Sequence, residues 1–209
     1  MSISAIAQIN HRRPSADRQK EIVEAVLALA AERGVEAITT ALIAERLGLS
    51  QGAVFRHFPN KEAIWAAVLG WLSAQLSAIF QRHSDDPWAE LERIFHAYMR
   101  FFAEYPAMPR LVFSDTFHHA YPALHQAVGE LVATCEGRLK ALIEEAAQHG
   151  IIPRNRDASV AAKLLITCIQ GLAFQSAILG LVADPRRAGP PLFQLWRQAL
   201  IHEEIHETR

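Results

Sequence analysis

Between Leu164 and Ala183 the chain runs for twenty residues without a charge (LLITCIQGLAFQSAILGLVA). A helix of that kind must be covered by lipid or by protein, and the choice constrains the rest of the fold. Its length is about that of a bilayer span. Thr167, Gln170, Gln175 and Ser176 interrupt the run, however, and Lys163 and Asp184 flank it without aromatic anchors. A helix apolar all round also serves where one face meets the chain's own core and the other meets a second subunit. The expectation is a buried helix and no membrane partner.

The remaining sequence is that of an ordinary globular chain. Of 209 residues, 51% are apolar and 21% charged, which excludes disorder, and two cysteines (Cys135, Cys168) exclude a disulfide scaffold. The first residues (MSISAIAQINHRRPSADRQ) hold no apolar run of signal-peptide length, so a cytoplasmic location is expected. Helical spacing dominates and no strand-type alternation is sustained. A first helix starts near Ser15 or Asp17, places Ile22, Val26, Leu29 and Ala30 on one face, and stops at Gly34. A second follows Thr39-Thr40 and ends at Gly48. A third opens at Ser50 and runs to about His57, and Asn60 caps a fourth that runs to about Gln81. After a linker ending in Asp86-Pro87, further helices are predicted near 87–104, 108–118, 122–149, 157–182 and 191–206. The fold class is therefore all-α, with about nine helices. A flexible arm (1–14) precedes a small three-helix head (15–62) and a larger helical body (63–209).

Two short helices joined at Gly48 form a helix-turn-helix. Ile43, Leu47, Val54 and Phe58 close a small core against the first helix. The other side chains of the third helix (Gln51, Gly52, Ala53, Phe55, Arg56, His57) then point away. An amide, a methyl group and a guanidinium on a surface helix are the groups that read base edges in a major groove. Gln51 suits an adenine, Arg56 a guanine or a phosphate, and Ala53 a thymine methyl. Thr40 and Lys61, each at a helix start, suit phosphates.

Residues 38–64 (ITTALIAERLGLSQGAVFRHFPNKEAI) closely resemble the signature of the TetR family of bacterial transcriptional regulators. The marks are Thr39-Thr40, Ile43-Ala44, Gly48, Ser50, Phe55-x-x-Phe58 and Lys61-Glu62. The resemblance implies a homodimeric repressor that binds double-stranded DNA at a palindromic operator and is released by a small-molecule effector. Its DNA contacts would come from Thr39, Thr40, Ser50, Gln51, Gly52, Ala53, Phe55, Arg56, His57 and Lys61, with Arg12, Arg13 and Arg18 in the leading arm. The family usually has tyrosine where Phe55 stands, so one hydroxyl contact to phosphate, about 1 kcal/mol, is lost. Residues 1–62 carry eight Lys/Arg against seven Asp/Glu, so a single head is nearly neutral and two must bind together for useful affinity.

In the body, eight of the chain's 17 aromatic residues fall between Phe95 and Tyr121. They point to a cavity for an apolar or aromatic effector, walled by Phe95, Tyr98, Met99, Phe102, Phe113, Phe117, Gln170 and Phe174, with His118, Cys168 and Gln175 as further candidates. Gly171 and Ala177 on one late helix, with Leu192, Leu195, Trp196 and Ala199 on the next, form the expected dimer face. His202-Glu203-Glu204-Ile205-His206 matches H-E-x-x-H, the alternative of a zinc-dependent hydrolase. No third ligand follows it, so neither catalysis, a resident metal nor another cofactor is expected.

Overall fold

Side-chain caps start the second, third and fourth helices of the computed structural model, which describes residues 15–201. The leading arm with Arg12 and Arg13, and the His202–His206 motif, lie outside the described residues. α1 (Ser15–Arg33) ends where Gly34 takes a φ of +84°. α2 (Thr40–Leu47) opens with the Thr39 hydroxyl accepting from the Leu42 N–H at 3.1 Å and closes at Gly48, φ +63°. An L side chain is strained at that φ, so the tight turn calls for glycine. In α3 (Gln51–Phe55) the Ser50 hydroxyl accepts from the Ala53 N–H at 3.2 Å. α4 (Lys61–Ile79) begins with Asn60 Oδ1 accepting from the Ala63 N–H at 2.8 Å. Ile22, Val26, Leu29, Ile43, Ala44, Val54 and Phe58 are all buried in the core beneath these helices. Arg46 of α2 also pairs with Glu32 of α1.

The body follows as α5 (Pro87–Glu104), α6 (Ala107–Val112), α7 (Asp115–Ala120), α8 (Pro122–Gln148), α9 (Ala158–Ala177) and α10 (Pro185–Ile201). No strand is found among the described residues. α9 packs along α8, and α10 lies across α5 and α9. Trp196 of α10 stacks on Trp88 of α5 at 5.8 Å and donates its indole N–H to the Ala161 carbonyl of α9 at 3.1 Å. Glu90 is buried at the start of α5. It accepts from the His83 N–H at 3.0 Å and from Arg93 Nη2 at 2.8 Å. Arg93 also donates to the Ile79 carbonyl, so this pair ties the connecting segment to the body. Burial pushes the Glu90 carboxyl up, but Arg93 and the His83 N–H outweigh it and leave the group below its ordinary pKa.

Three boundaries differ from the sequence reading. The helix expected at 108–118 is two helices, because the Ser114 hydroxyl accepts from the Phe117 N–H at 3.1 Å and begins α7 afresh. The helix expected to reach 182 stops at Ala177, where the Leu181 N–H folds back onto the Gln175 carbonyl at 2.9 Å and Gly180 turns at φ +65°. α10 begins six residues before the expected 191. Asp184 Oδ1 accepts from the Arg186 N–H at 2.9 Å, and Pro185 fits the first helical position. Pro190 and Pro191 then sit inside the helix, at the cost of two backbone donors. Close packing offsets that cost: a Cβ at Gly189 would lie 2.8 Å from Met99 Cγ and 3.0 Å from Phe95 Cε1, so only glycine lets α10 seat this near α5.

α4 and α9 are each long and apolar enough to cross a membrane by length and composition. α9 buries Ala162, Leu165, Ile169 and Leu172 on one side and leaves Val160 and Leu164 in solvent on the other. Within the protomer the helix is thus covered on one face, and the face expected to meet a second subunit is left exposed.

Candidate nucleic-acid interface and body cavity

Only Val54 of α3 is fully buried. Gln51, Gly52, Phe55 and Arg56 are exposed, and Ala53 and the following His57 are half-buried, so the polar tips of this helix face solvent. Phe55 is 45% exposed, which leaves its ring on the outer surface rather than in the core. Gln51 Nε2 donates to the Thr40 hydroxyl at 3.3 Å, joining the starts of α2 and α3. The His57 carbonyl accepts from Gln19 Nε2 at 3.2 Å, anchoring the end of this segment on α1. Thr39 and Ser50 are exposed, with their hydroxyl oxygens engaged as caps. Arg18 corrects one expectation: it lies on α1 rather than in an arm, and pairs with Glu21 at 2.7 Å.

Lys61 is half-buried at the first turn of α4, where free N–H groups already carry partial positive charge. Burial lowers its pKa, and it forms no ion pair among the described residues. Arg56 is exposed and likewise unpaired among them. Two cations without carboxylates, one of them at a capped helix start, make an anion-accepting surface beside the exposed face of α3.

The body holds an almost wholly apolar cavity of about 50 Å³ between α4, α5, α6, α8 and α9. Tyr98, Phe102, Phe113 and Gln170 are on its wall, as the sequence reading had placed them. Cys135, Leu76 and Pro109, which that reading omitted, are there too. Phe95, Met99, Phe117 and Phe174 are not. Phe95 and Met99 pack against Gly189, with the Phe95 ring 5.1 Å from Phe193. Phe117 sets its edge on Trp65 of α4 at 5.5 Å, and Phe174 sits edge-on to Phe113 at 5.5 Å. His118, Cys168 and Gln175 are also off the wall, and His118 instead lies against His125 at 4.3 Å. An open groove of about 520 Å³ runs between α4 and α8, lined by Ser73, Phe80, Thr134 and Arg138 among others.

Of the residues expected to face a second subunit, Leu192 and Leu195 are exposed, at 39% and 64%. Ala199 is exposed and Gly171 half-buried. Ala177 and Trp196 are buried inside the protomer, the latter held by Trp88 and Ala161, so neither offers surface to a partner. Val160 and Leu164 of α9 extend the exposed apolar face in their place, 63% and 50% exposed. Among the described residues no group of three or more metal-ligating side chains occurs.

The capped turn, the exposed short helix and the flanking cations define the class: a helix-turn-helix protein whose head is carried on a helical body. Residues 22–68 match the family of bacterial regulatory proteins of the tetR type. Among curated proteins, the nucleoid occlusion factor SlmA of Vibrio campbellii is 27% identical over 133 residues, covering 62% of this chain and 68% of that protein. Among solved structures, the fatty acid degradation regulator FadR of Bacillus halodurans superposes with a TM-score of 0.75 at 16% identity, over 89% of this chain and 97% of that one. The transcriptional regulator FadR of Bacillus subtilis in complex with stearoyl-CoA superposes at 0.70 and 17% identity, over 88% and 99%. The match to the tetR-type family is thus confined to the head and the start of α4, and the whole chain shares the fold of these solved structures.

Proposed function

We propose that the protein is a cytoplasmic, homodimeric repressor, with no enzymatic activity, that occupies a palindromic operator and is released by a small effector. Residues 15–62 act as the reading head and 63–209 as the ligand-binding and dimerisation body. The observation that carries this reading is the solvent exposure of Gln51, Phe55 and Arg56 beside Lys61, which has no ion pair among the described residues. Gln51 and Arg56 meet base edges, while Thr39, Thr40, Ser50 and Lys61 hold phosphates and set the register. The nearly neutral head makes two-headed binding necessary, and the exposed apolar side chains of α9 and α10 supply the face that pairs two copies. An effector entering the body favours a head separation that no longer matches successive major grooves, about 34–36 Å apart. Selection of bound duplexes from a random pool tests the scheme. A palindrome with half-sites one helical turn apart is expected, and a pool without one overturns it.

A second reading follows from the curated relatives, which are named as nucleoid occlusion factors. In it the dimer binds sites scattered over the chromosome, with no promoter to block and no effector. The small volume of the cavity favours it. Genome-wide footprinting separates the two: sites clustered at one or a few promoters support the repressor, and sites dispersed without regard to promoters support the other.

A further inference from the structure

The cavity and the α4–α8 groove share Leu76, Leu131 and Cys135, so they are two compartments of one recess. Between them the Phe80 ring stands edge-on to Tyr98, with centroids 6.1 Å apart. On the groove side the Arg138 guanidinium lies over Phe80, 5.4 Å from its centroid, and forms no ion pair among the described residues. Glu130, the carboxylate lining the groove, is engaged elsewhere, accepting from Gln126 Nε2 at 2.8 Å. On the cavity side the Tyr98 hydroxyl is buried without a hydrogen-bond partner of ordinary geometry, in a side chain only 2% exposed. The thiol of Cys135 is close enough to act on it, yet a thiol is a weak partner. A buried donor left in this state is costly, and a ligand atom that accepts from it recovers the loss.

A cation lacking a counter-ion and a donor lacking an acceptor thus flank one aromatic partition, on a recess whose inner walls are hydrocarbon. We infer that the recess binds a single-chain amphiphile with a carboxylate head, the carboxylate held between Arg138 and Tyr98 Oη and the chain lying in the cavity. The assignment rests on the effector reading above and specifies its chemistry. A cavity of about 50 Å³ holds only a few waters, at roughly 10–15 Å³ each on this measure, so such a chain has to widen it. Leu76 of α4 and Leu131 of α8 border both compartments, so a chain reaching from groove to cavity passes them. Opening there moves α4, the helix whose other end carries Lys61.

Calorimetric titration of the full chain with decanoate, and separately with decanol, tests the assignment. Decanoate should bind about tenfold or more tightly than decanol, because the alcohol lacks the charge that Arg138 meets. Arg138→Gln should abolish that preference, and Tyr98→Phe should weaken decanoate binding about tenfold without lowering the melting temperature. Equal affinity for the two probes, binding of neither, or an Arg138→Gln protein that keeps the preference overturns the assignment. The effector reading fails separately. If saturating decanoate binds as described but leaves the selected operator complex intact, the recess holds its amphiphile and is not the switch. If a neutral aromatic compound releases the operator while decanoate does not bind, the effector reading stands and the carboxylate assignment falls.

Discussion

α3 and α9 each bury one side and expose the other, but they leave opposite chemistry in solvent. α3 is five residues long, buries Val54 alone, and presents an amide and a guanidinium around an exposed ring. α9 is twenty residues long, buries eight of them, and presents Val160 and Leu164. Polar tips on a helix too short to be stable alone make sense only if its shape is imposed by neighbours and its surface is spent on a hydrogen-bonding partner. Apolar side chains left out along a long helix make sense when another apolar surface covers them. Partner type is therefore carried less by composition than by what each helix withholds from the core.

Four variants break or sharpen that contrast. The largest effect is expected from Arg56→Ala with Lys61→Ala, which removes a base or phosphate contact and a phosphate contact together. Operator affinity should fall a hundredfold or more in a mobility shift while sedimentation still gives a dimer. A shift equal to that of the unaltered protein would contradict the role given to α3. Next, Leu164→Glu with Leu195→Glu places charge on the exposed face of α9 and α10. Sedimentation should report monomers with an unchanged helical spectrum, and a persisting dimer would move the interface elsewhere. Gly189→Ala forces a methyl against Met99 and Phe95, and urea denaturation should show a loss of about 2 kcal/mol. Glu90→Gln should cost about 1 to 2 kcal/mol at neutral pH. Because the folded state lowers the Glu90 pKa, its contribution is complete above the ordinary glutamate range and disappears as pH falls through the depressed value. The difference between the two proteins should therefore shrink in acid, and a gap that widens there would reverse the sign.

How much of this was visible in the sequence depended on how local the signal was. Gly48, Ser50 and Asn60 act on their immediate neighbours, and the turn and caps they predict are those observed; Thr39, expected only to precede the second helix, caps it as well. Ser114 carries the same kind of signal but sits within an aromatic run that reads as one helix. Pro190-Pro191 reads as a loop because proline discourages a helix locally, and nothing near it reveals that Gly189 meets α5 closely enough to hold the helix together. The cavity wall was half legible for a related reason. α5 is buried on two sides, so Phe95 and Met99 share its apolar pattern with Tyr98 and Phe102, and periodicity does not say which set faces α10. Trp196 misled similarly, since an apolar position on the last helix can be turned inward as readily as toward a partner.

α4 runs unbroken from Lys61 to Ile79. At 1.5 Å per residue it is a rod of roughly 28 Å, with a phosphate-seeking ammonium at one tip and Leu72 and Leu76 in the cavity wall near the other. A tilt of about 5° pivoting at the far end displaces Lys61 by roughly 2 Å, more than a charge-assisted hydrogen bond tolerates. Under the repressor reading proposed above, stiffness rather than a relay of side chains would convert a crowded interior into a lost grip on the double helix.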